Sequence, residues 1–410
     1  MNVIDSLKES ISAYEDGHWT RALVTGEEAK QEAEKKGKHT YEALLWYGKF
    51  NLDLWYIKVA EELVAAASTI TDKKLEIDFA DGRYDIEFLA AELKAKKRHF
   101  QDAIEEAEVI LQSRMAKEDA SGLKVAAALQ AIGQIYLDAN RFVEAESALR
   151  RALVIRENKL GKEHLLYAET LNSLGITYSA QQEYVRAQPF CKLALNIREK
   201  LLPPNHLLIA FSLHENAKLK LHAFRVPEAE ALWRRALTIA EAELPASHPK
   251  ISQIMSGLAS ALLTDYQYAA AREFYERALT AAEAAYPQRV ADVFIAASGL
   301  GAACVADHKF EQAEPLIRRA LSLLKEYDEL QYSNESVLVE NLITSQMLQG
   351  KVIDAMSLFP DQMRARHTGN FARTIKRLEM VVNFIQLNLP DDVARDLDKF
   401  TEQFGKNKKR

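Results

Sequence analysis

Two cysteines in a chain of 410 residues exclude a disulfide framework. Cys191 and Cys304 fall in different repeats of the pattern described below. At about 10 Å per helix layer they stand roughly 30 Å apart, whereas a bridge needs Cα atoms within about 7 Å. Both are expected to be buried thiols. Glycine (15) and proline (10) are scarce, which removes loop-rich and collagen-like classes. No run of 18 apolar residues suggests a membrane span. The N-terminus, Met1-Asn2-Val3-Ile4-Asp5, leads into an amphipathic helix with no signal-peptide pattern, so a cytoplasmic protein is expected. A formal charge of −6 lacks the basic excess of a nucleic-acid-binding protein. There is no glycine loop for phosphate, no dinucleotide fingerprint, no paired-cysteine metal site and no Gly-x-Ser-x-Gly elbow. Neither a cofactor, a metal, a small-molecule substrate nor an enzymatic activity is expected.

What the chain does have is self-similarity. Ala103, Ala145, Ala187, Ala229, Ala271 and Ala313 stand at strict 42-residue intervals, and Ala355 continues the series. Ala60 and Ala22 lie close to phase. A second series runs through Ala152, Ala194, Ala236, Ala278 and Ala320, and a third through Ala91, Gly133, Gly175, Ala217, Ala259 and Gly301. A period of this size identifies a helical array, and three columns of small residues mark close approaches of helix backbones. With Ala126 as position 1, the spacing predicts helix A over positions 1–14, a turn at Asp138-Ala139-Asn140-Arg141, and helix B over positions 18–35. Gly161, Pro203, Pro245 and Pro287 share one phase as helix stops. Pro189 and Pro315 are expected in the first turn of helix B, where the missing N–H has no intrahelical acceptor.

The column set Ala126, Leu129, Gly133, Tyr136, Phe142, Ala145 and Ala152 resembles the tetratricopeptide repeat. Armadillo and HEAT repeats share the period without this combination. The stretches Arg150-Arg151-Ala152-Leu153-Val154-Ile155-Arg156-Glu157 and Glu314-Pro315-Leu316-Ile317-Arg318-Arg319-Ala320-Leu321 are similar to kinesin-light-chain-type repeats. The resemblance implies an all-α, right-handed superhelix, an α-solenoid of about nine helix-turn-helix repeats with a C-terminal helical cap. Residues 1–83 read as degenerate repeats, 84–325 as the regular array, and 326–410 as a last degenerate repeat, cap and basic tail. Val352 and Ala355 keep phase, Gln362 ends the array, and residues 367–404 form the cap. No heptad coiled coil precedes the repeats, so a motor subunit of the eukaryotic kind is not expected. A compact, bacterial kinesin-light-chain-like protein associated with bacterial tubulin filaments or membranes is the more specific expectation.

Several polar groups invite a chemical reading. His164, His206 and His248 recur at one phase but sit too far apart to share a zinc ion at about 2.0–2.1 Å, so a loop or capping role is expected. His214-Glu215 starts like a zinc-protease helix, but Lys218 occupies the second histidine's place. The doublets Arg150-Arg151, Arg234-Arg235 and Arg318-Arg319 suggest a basic ridge, but Glu146, Glu230 and Glu314 stand four residues earlier and should neutralise it.

The resemblance implies a concave groove lined by helix A at positions 2, 5, 9, 12 and 13. The partner-binding residues expected there are Gln130, Gln134, Asn172, Phe211, His214, Lys218, His222, Ser256, Ser260 and Ser298. Their amides, hydroxyls and imidazoles suit the backbone of an extended peptide, and His214, Lys218 and His222 form a cationic strip suited to a carboxylate. Kinesin light chains repeat asparagine in position 5, whereas here only Asn172 does. The expected function is a non-enzymatic scaffold binding a protein or peptide. Two alternatives stand beside it. One is a filament- or anionic-membrane-associated adaptor using the convex ridge and the basic C-terminal segment, Arg364, Arg366, Arg373, Lys376, Arg377 and the Lys406–Arg410 tail. The other is a regulatory subunit of an enzyme or transcription factor.

Overall fold

The computed structural model describes residues 3–15, 19–36, 39–53, 57–70, 86–117, 122–285, 289–327 and 335–349, together with 351 and 354. Every regular element among them is an α-helix. The helices are α1 (Val3–Glu15), α2 (Trp19–Lys36), α3 (Thr40–Asp53), α4 (Ile57–Ser68), α5 (Ile86–Lys96), α6 (Phe100–Lys117), α7 (Leu123–Asp138), α8 (Phe142–Leu160) and α9 (Leu165–Ala180). They continue with α10 (Tyr184–Leu201), α11 (Leu207–His222), α12 (Val226–Glu243), α13 (Pro249–Thr264), α14 (Tyr268–Ala284), α15 (Val290–Ala306), α16 (Phe310–Glu326) and α17 (Glu335–Leu348). Val352, Ala355, Gln362, the cap over 367–404 and the basic tail lie outside the described residues, as does Pro287.

The chain divides into two compact units, Met1–Ala261 with Glu283–Gln288, and Leu262–Ala282 with Arg289–Arg410. In the first, α1 packs on α2, α3 on α4, α5 on α6, α7 on α8, α9 on α10 and α11 on α12. Each A helix also packs on the B helix before it, α7 on α6, α9 on α8 and α11 on α10. In the second, α15 packs on α16 and α16 on α17. Within each unit the described fold is all-α and built from consecutive packed helix pairs, an α-solenoid arrangement.

Flanked by helices on several sides, an A helix buries far more of itself than a B helix does. Twelve residues of α9 are buried, but only five of α10, which keeps one apolar stripe and an exposed outer face. All six alanines of the first described series are sealed from solvent, as are Ala152, Ala194, Ala236, Ala278 and Ala320. The third series explains itself at the crossings within each pair. A Cβ on Gly133 would come 2.8 Å from Leu149 Cγ, and one on Gly301 2.7 Å from Ile317 Cγ1. One on Gly175 would overlap the Cys191 sulfur and stand 3.3 Å from the Cys191 backbone nitrogen. Where the B-helix residue at that level is aromatic, room comes from the following A helix instead. Gly257 lies against Trp233 and Gly299 against Tyr275, pairs that the sequence reading did not isolate.

The A–B turns from α5–α6 to α15–α16 close in the same way. Arg98, Asn140, Gln182, Phe224, Tyr266 and His308, again 42 residues apart, adopt φ between 57° and 69°. The next residue's N–H then reaches back over the end of helix A: Arg141 donates to the Tyr136 carbonyl at 2.8 Å, Glu183 to Tyr178 at 2.9 Å and Arg225 to Lys220 at 2.9 Å. The left-handed residue satisfies carbonyls that a helix end would otherwise leave open. Pro189 and Pro315 correct the expectation for their column. Each is the sixth residue of its helix, α10 and α16, one turn later than expected. The carbonyl deprived of its N–H partner belongs to Val185 in α10, a residue 87% exposed, where water can donate to it.

The histidine column caps helices, as expected. The Nδ1 atoms of His164, His206 and His248 accept the backbone N–H of Leu166, Leu208 and Lys250, each at 3.1 Å, at the first turns of α9, α11 and α13. The arginine ridge is neutralised as well: Glu146 bonds Arg150 at 2.8 Å, Glu230 bonds Arg234 at 2.8 Å and Glu314 bonds Arg318 at 2.9 Å. Cys191 and Cys304 are free and buried.

Two glycines give a direct check on the crossings. Gly175→Ala should lower stability by about 1–3 kcal/mol through overpacking. Gly48→Ala in α3 meets only ordinary contact, 3.5 Å to Leu63 Cβ, and should be neutral or stabilising by about 0.5–1 kcal/mol from helix propensity. Chemical denaturation followed by circular dichroism compares them; equal effects would contradict the packing at Gly175.

Candidate functional site

The residues expected to line a groove lie on the A helices. Those on α7, α9, α11 and the 249–261 part of α13 belong to the first unit, and Ser298 on α15 belongs to the second. In the second unit Ser298 donates its hydroxyl to the Ile295 carbonyl at 3.1 Å, a bond within its own helix.

In the first unit the position-5 residues turn inward, towards the neighbouring A helix. Gln130 is buried and donates Nε2–H to Ser173 Oγ at 2.9 Å, tying α7 to α9. Its Oε1 accepts from Arg156 at 3.3 Å. Asn172, one methylene shorter, is also buried, and its Oδ1 accepts weakly from the Ser212 hydroxyl of α11 at 3.5 Å. The Asn172 amide Nδ2–H makes no hydrogen bond. Ser256 is buried with its hydroxyl unbonded. Gln134 is half-buried and donates to Asp138 within α7 at 3.2 Å. Phe211 and Ser260 are half-buried on the same face, and the Lys250 ammonium lies 5.8 Å from the Phe211 ring centre.

The cationic strip expected from His214, Lys218 and His222 does not form. His214 is only 5% exposed, and its Nδ1 accepts the indole N–H of Trp233 at 3.1 Å. Burial pushes its pKa down to about 3, so the ring is neutral and belongs to the core. Lys218 is spent on Glu215, at 2.9 Å. That carboxylate is itself buried; burial disfavours its charge, but Lys218 and Lys250 outweigh this and bring it to about 2. His222 is stacked flat on Tyr184, ring centres 3.8 Å apart, and its pKa is lowered by desolvation first and then by Lys218. The helical spacing of the three residues holds; the histidines carry no charge there, and that of Lys218 is matched by Glu215. The missing information was Trp233 on α12, nineteen residues away, and a carboxylate immediately beside the histidine.

Sequence reading also missed a column of arginines. Arg114, Arg156 and Arg198 stand 42 residues apart, in an otherwise apolar stripe, and each donates Nη1–H to the first turn of the following A helix. The acceptors are the carbonyls of Lys124 at 3.4 Å, Leu166 at 2.7 Å and Leu208 at 3.1 Å. Arg156 and Arg198 are almost wholly buried, 2% and 3% exposed. These side chains stitch one repeat to the next directly beneath the position-5 residues. The 42-residue spacing was the available signal, overlooked because arginine is ordinarily a surface residue.

Among the described residues no group of three or more His, Cys, Asp or Glu side chains gathers where a metal ion could sit. No described helix is long and apolar enough to cross a membrane.

Comparison with known proteins agrees with this architecture. A family model described as tetratricopeptide repeat matches residues 124–200 and 208–284. No curated protein matches the chain. A Rap protein crystallised with Competence and Sporulation Factor is similar in structure, with TM-score 0.55, 14% identity, and coverage of 91% of this chain and 99% of that one. NprR in complex with its cognate peptide NprX gives 0.49 and 14%, over 91% and 99%. BtubC (BKLC) from P. vanneervenii gives 0.43 and 20%, over 61% and 92%. Residues 124–200 and 208–284 therefore match tetratricopeptide repeats; at these identities the structural likeness concerns the fold.

The burial of His214 has a measurable consequence. Between pH 6.5 and about 3 the unfolded chain takes up a proton that the native ring refuses, so stability falls as pH falls, by at most about 1.4 kcal/mol per unit. His214→Gln keeps an acceptor for Trp233 and removes the titration. The stability that wild type loses between pH 7.5 and 5 should exceed the variant's loss by about 2 kcal/mol in urea denaturation. Identical losses would show that His214 is protonated in the native state.

Proposed function

We propose that this chain is a non-enzymatic protein-interaction scaffold, and that the A-helix face of its first unit holds an extended segment of a partner. Tetratricopeptide arrays offer rows of A-helix side chains at a constant step, a geometry suited to a peptide backbone, which also repeats at a constant step. The observation that carries the reading is the state of Asn172. Its Nδ2 donors make no hydrogen bond within the protein and are not sealed from solvent, on the face where Phe211 and Gln134 are half-accessible. A peptide carbonyl can take the place of water there. Most other polar groups of the face are occupied internally, so they shape the floor rather than recognise the ligand.

The similar Rap protein was crystallised with Competence and Sporulation Factor, which supports a ligand-holding role at the level of fold. A scaffold needs no convergent acid, base or nucleophile, and three of the strongly shifted groups, His214, Glu215 and Cys191, are locked in buried contacts. A cytoplasmic location and a kinesin-light-chain-like or regulatory partnership fit this reading but rest on the sequence alone.

The test uses an array of synthetic nonapeptides of randomised sequence incubated with the whole chain. Asn172→Ala should weaken capture about fivefold, the worth of one hydrogen bond of about 1 kcal/mol, without lowering the melting temperature. Arg234→Ala on the outer face of α12 should leave capture unchanged. Equal capture by the Asn172 variant and wild type would move the interaction to another surface.

A further inference from the structure

Arg156 and Arg198 occupy the same place in successive repeats, yet their surroundings differ in one respect. Arg156 meets a carboxylate: Glu169 Oε2 accepts from its Nη1 at 2.9 Å, with Gln130 Oε1 at 3.3 Å and Thr170 Oγ1 at 2.7 Å. Forty-two residues on, Ser212 replaces Thr170 and still accepts from Arg198 at 2.7 Å. The other two acceptors are gone. Phe211 stands where Glu169 stood, and Asn172, where Gln130 stood, is too short to reach the guanidinium.

Arg198 therefore donates only from Nη1, to Leu208 and Ser212. Its Nε is sealed from solvent without a hydrogen bond, and its Nη2 makes none. Glu169 is the carboxylate whose field reaches it, and that group is spent on Arg156. A buried guanidinium with no carboxylate in contact is the costly arrangement of an ion pair that lacks one member. Two facts locate the missing member. The Glu169 side chain is 45% exposed, so the equivalent place over Arg198 opens on the A-helix face. Beside Arg198 the Asn172 amide nitrogen makes no hydrogen bond within the protein, which favours an anion there.

We propose that a carboxylate of the bound peptide takes, on Arg198, the place that Glu169 takes on Arg156, with Asn172 Nδ2 as its second donor. This rests on the peptide-binding reading above and names the chemistry of that site. The planar guanidinium suits a carboxylate through two parallel hydrogen bonds. Phe211 forms the lid that turns aside when the carboxylate enters, which places an acidic group of the ligand between α9 and α11. The carboxylate can be an aspartate or glutamate side chain or the ligand's own C-terminus.

The test uses the whole chain and nonapeptides of randomised sequence in four matched forms, with a fixed central Glu or Gln, each with a free or amidated C-terminus. Wild type should capture one carboxylate form about tenfold better than its neutral match. A preference for Glu over Gln assigns a side chain; a preference for free acid over amide assigns the terminus. Phe211→Glu builds the internal carboxylate of the preceding repeat. It should raise the melting temperature by about 2–4 °C and abolish the preference. Arg198→Met should lose the preference too. A preference that survives in Phe211→Glu, or capture in wild type with no preference, overturns the carboxylate site while leaving the peptide reading intact. Capture of no peptide by wild type overturns both.

Discussion

The close crossing of helix A and helix B within a repeat is the constraint on which the structure depends. Helix backbones can approach only where one side presents no bulk, and the chain meets this demand with Gly133, Gly175 and Gly301 on A helices and fully buried alanines on B helices. Once the crossing is fixed, every other periodic feature follows at the same step. The left-handed turn residue, the capping histidine, the Glu–Arg pair and the buried arginine each recur because the backbone beneath them recurs. The exceptions obey the same volume rule. Trp233 and Tyr275 fill the B-helix level with an aromatic ring, and Gly257 and Gly299 give the space back on the next A helix.

What could be read from sequence is what depends on spacing alone. The three small-residue columns, the helix bounds, the capping role of His164, His206 and His248, and the neutralised ridge all come from a residue and its neighbours within one repeat. Side-chain charge and burial in the proposed groove were harder, because they are decided between repeats. Whether His214 is a cation depends on Trp233 of the following helix, and whether Asn172 is free depends on Ser212 of the next repeat. The proline column failed for a smaller reason. Even from the expected start at position 18 Pro189 and Pro315 would stand fifth, past the first turn, and the observed start one residue earlier makes them sixth.

The groove face is thus mostly structural. Gln130 bonds Ser173 and Arg156, and Ser212 bonds Arg198 and Asn172, a hydrogen-bonded seam that holds adjacent A helices in register. Such a seam leaves little polar surface for a ligand, so recognition falls to the groups whose donors the seam leaves unused. In the first unit those groups concentrate where α9 meets α11, at Asn172, Arg198 and Phe211. A loss of pairing between two otherwise equivalent repeats is informative because the backbone is the same in both. The Glu169-to-Phe211 difference is a change of chemistry on an unchanged frame.

The division of labour between a buried A layer and a half-exposed B layer can be measured directly by native-state amide hydrogen exchange of the intact chain. Helix α9 buries twelve residues and α11 ten, against five in α8 and five in α10. Exchange should therefore be slowest in α9 and α11, with α8 and α10 opening at lower free energy. Uniform protection across α8–α11, or faster exchange in the A helices than in the B helices, would contradict a solenoid held together by its A-helix crossings.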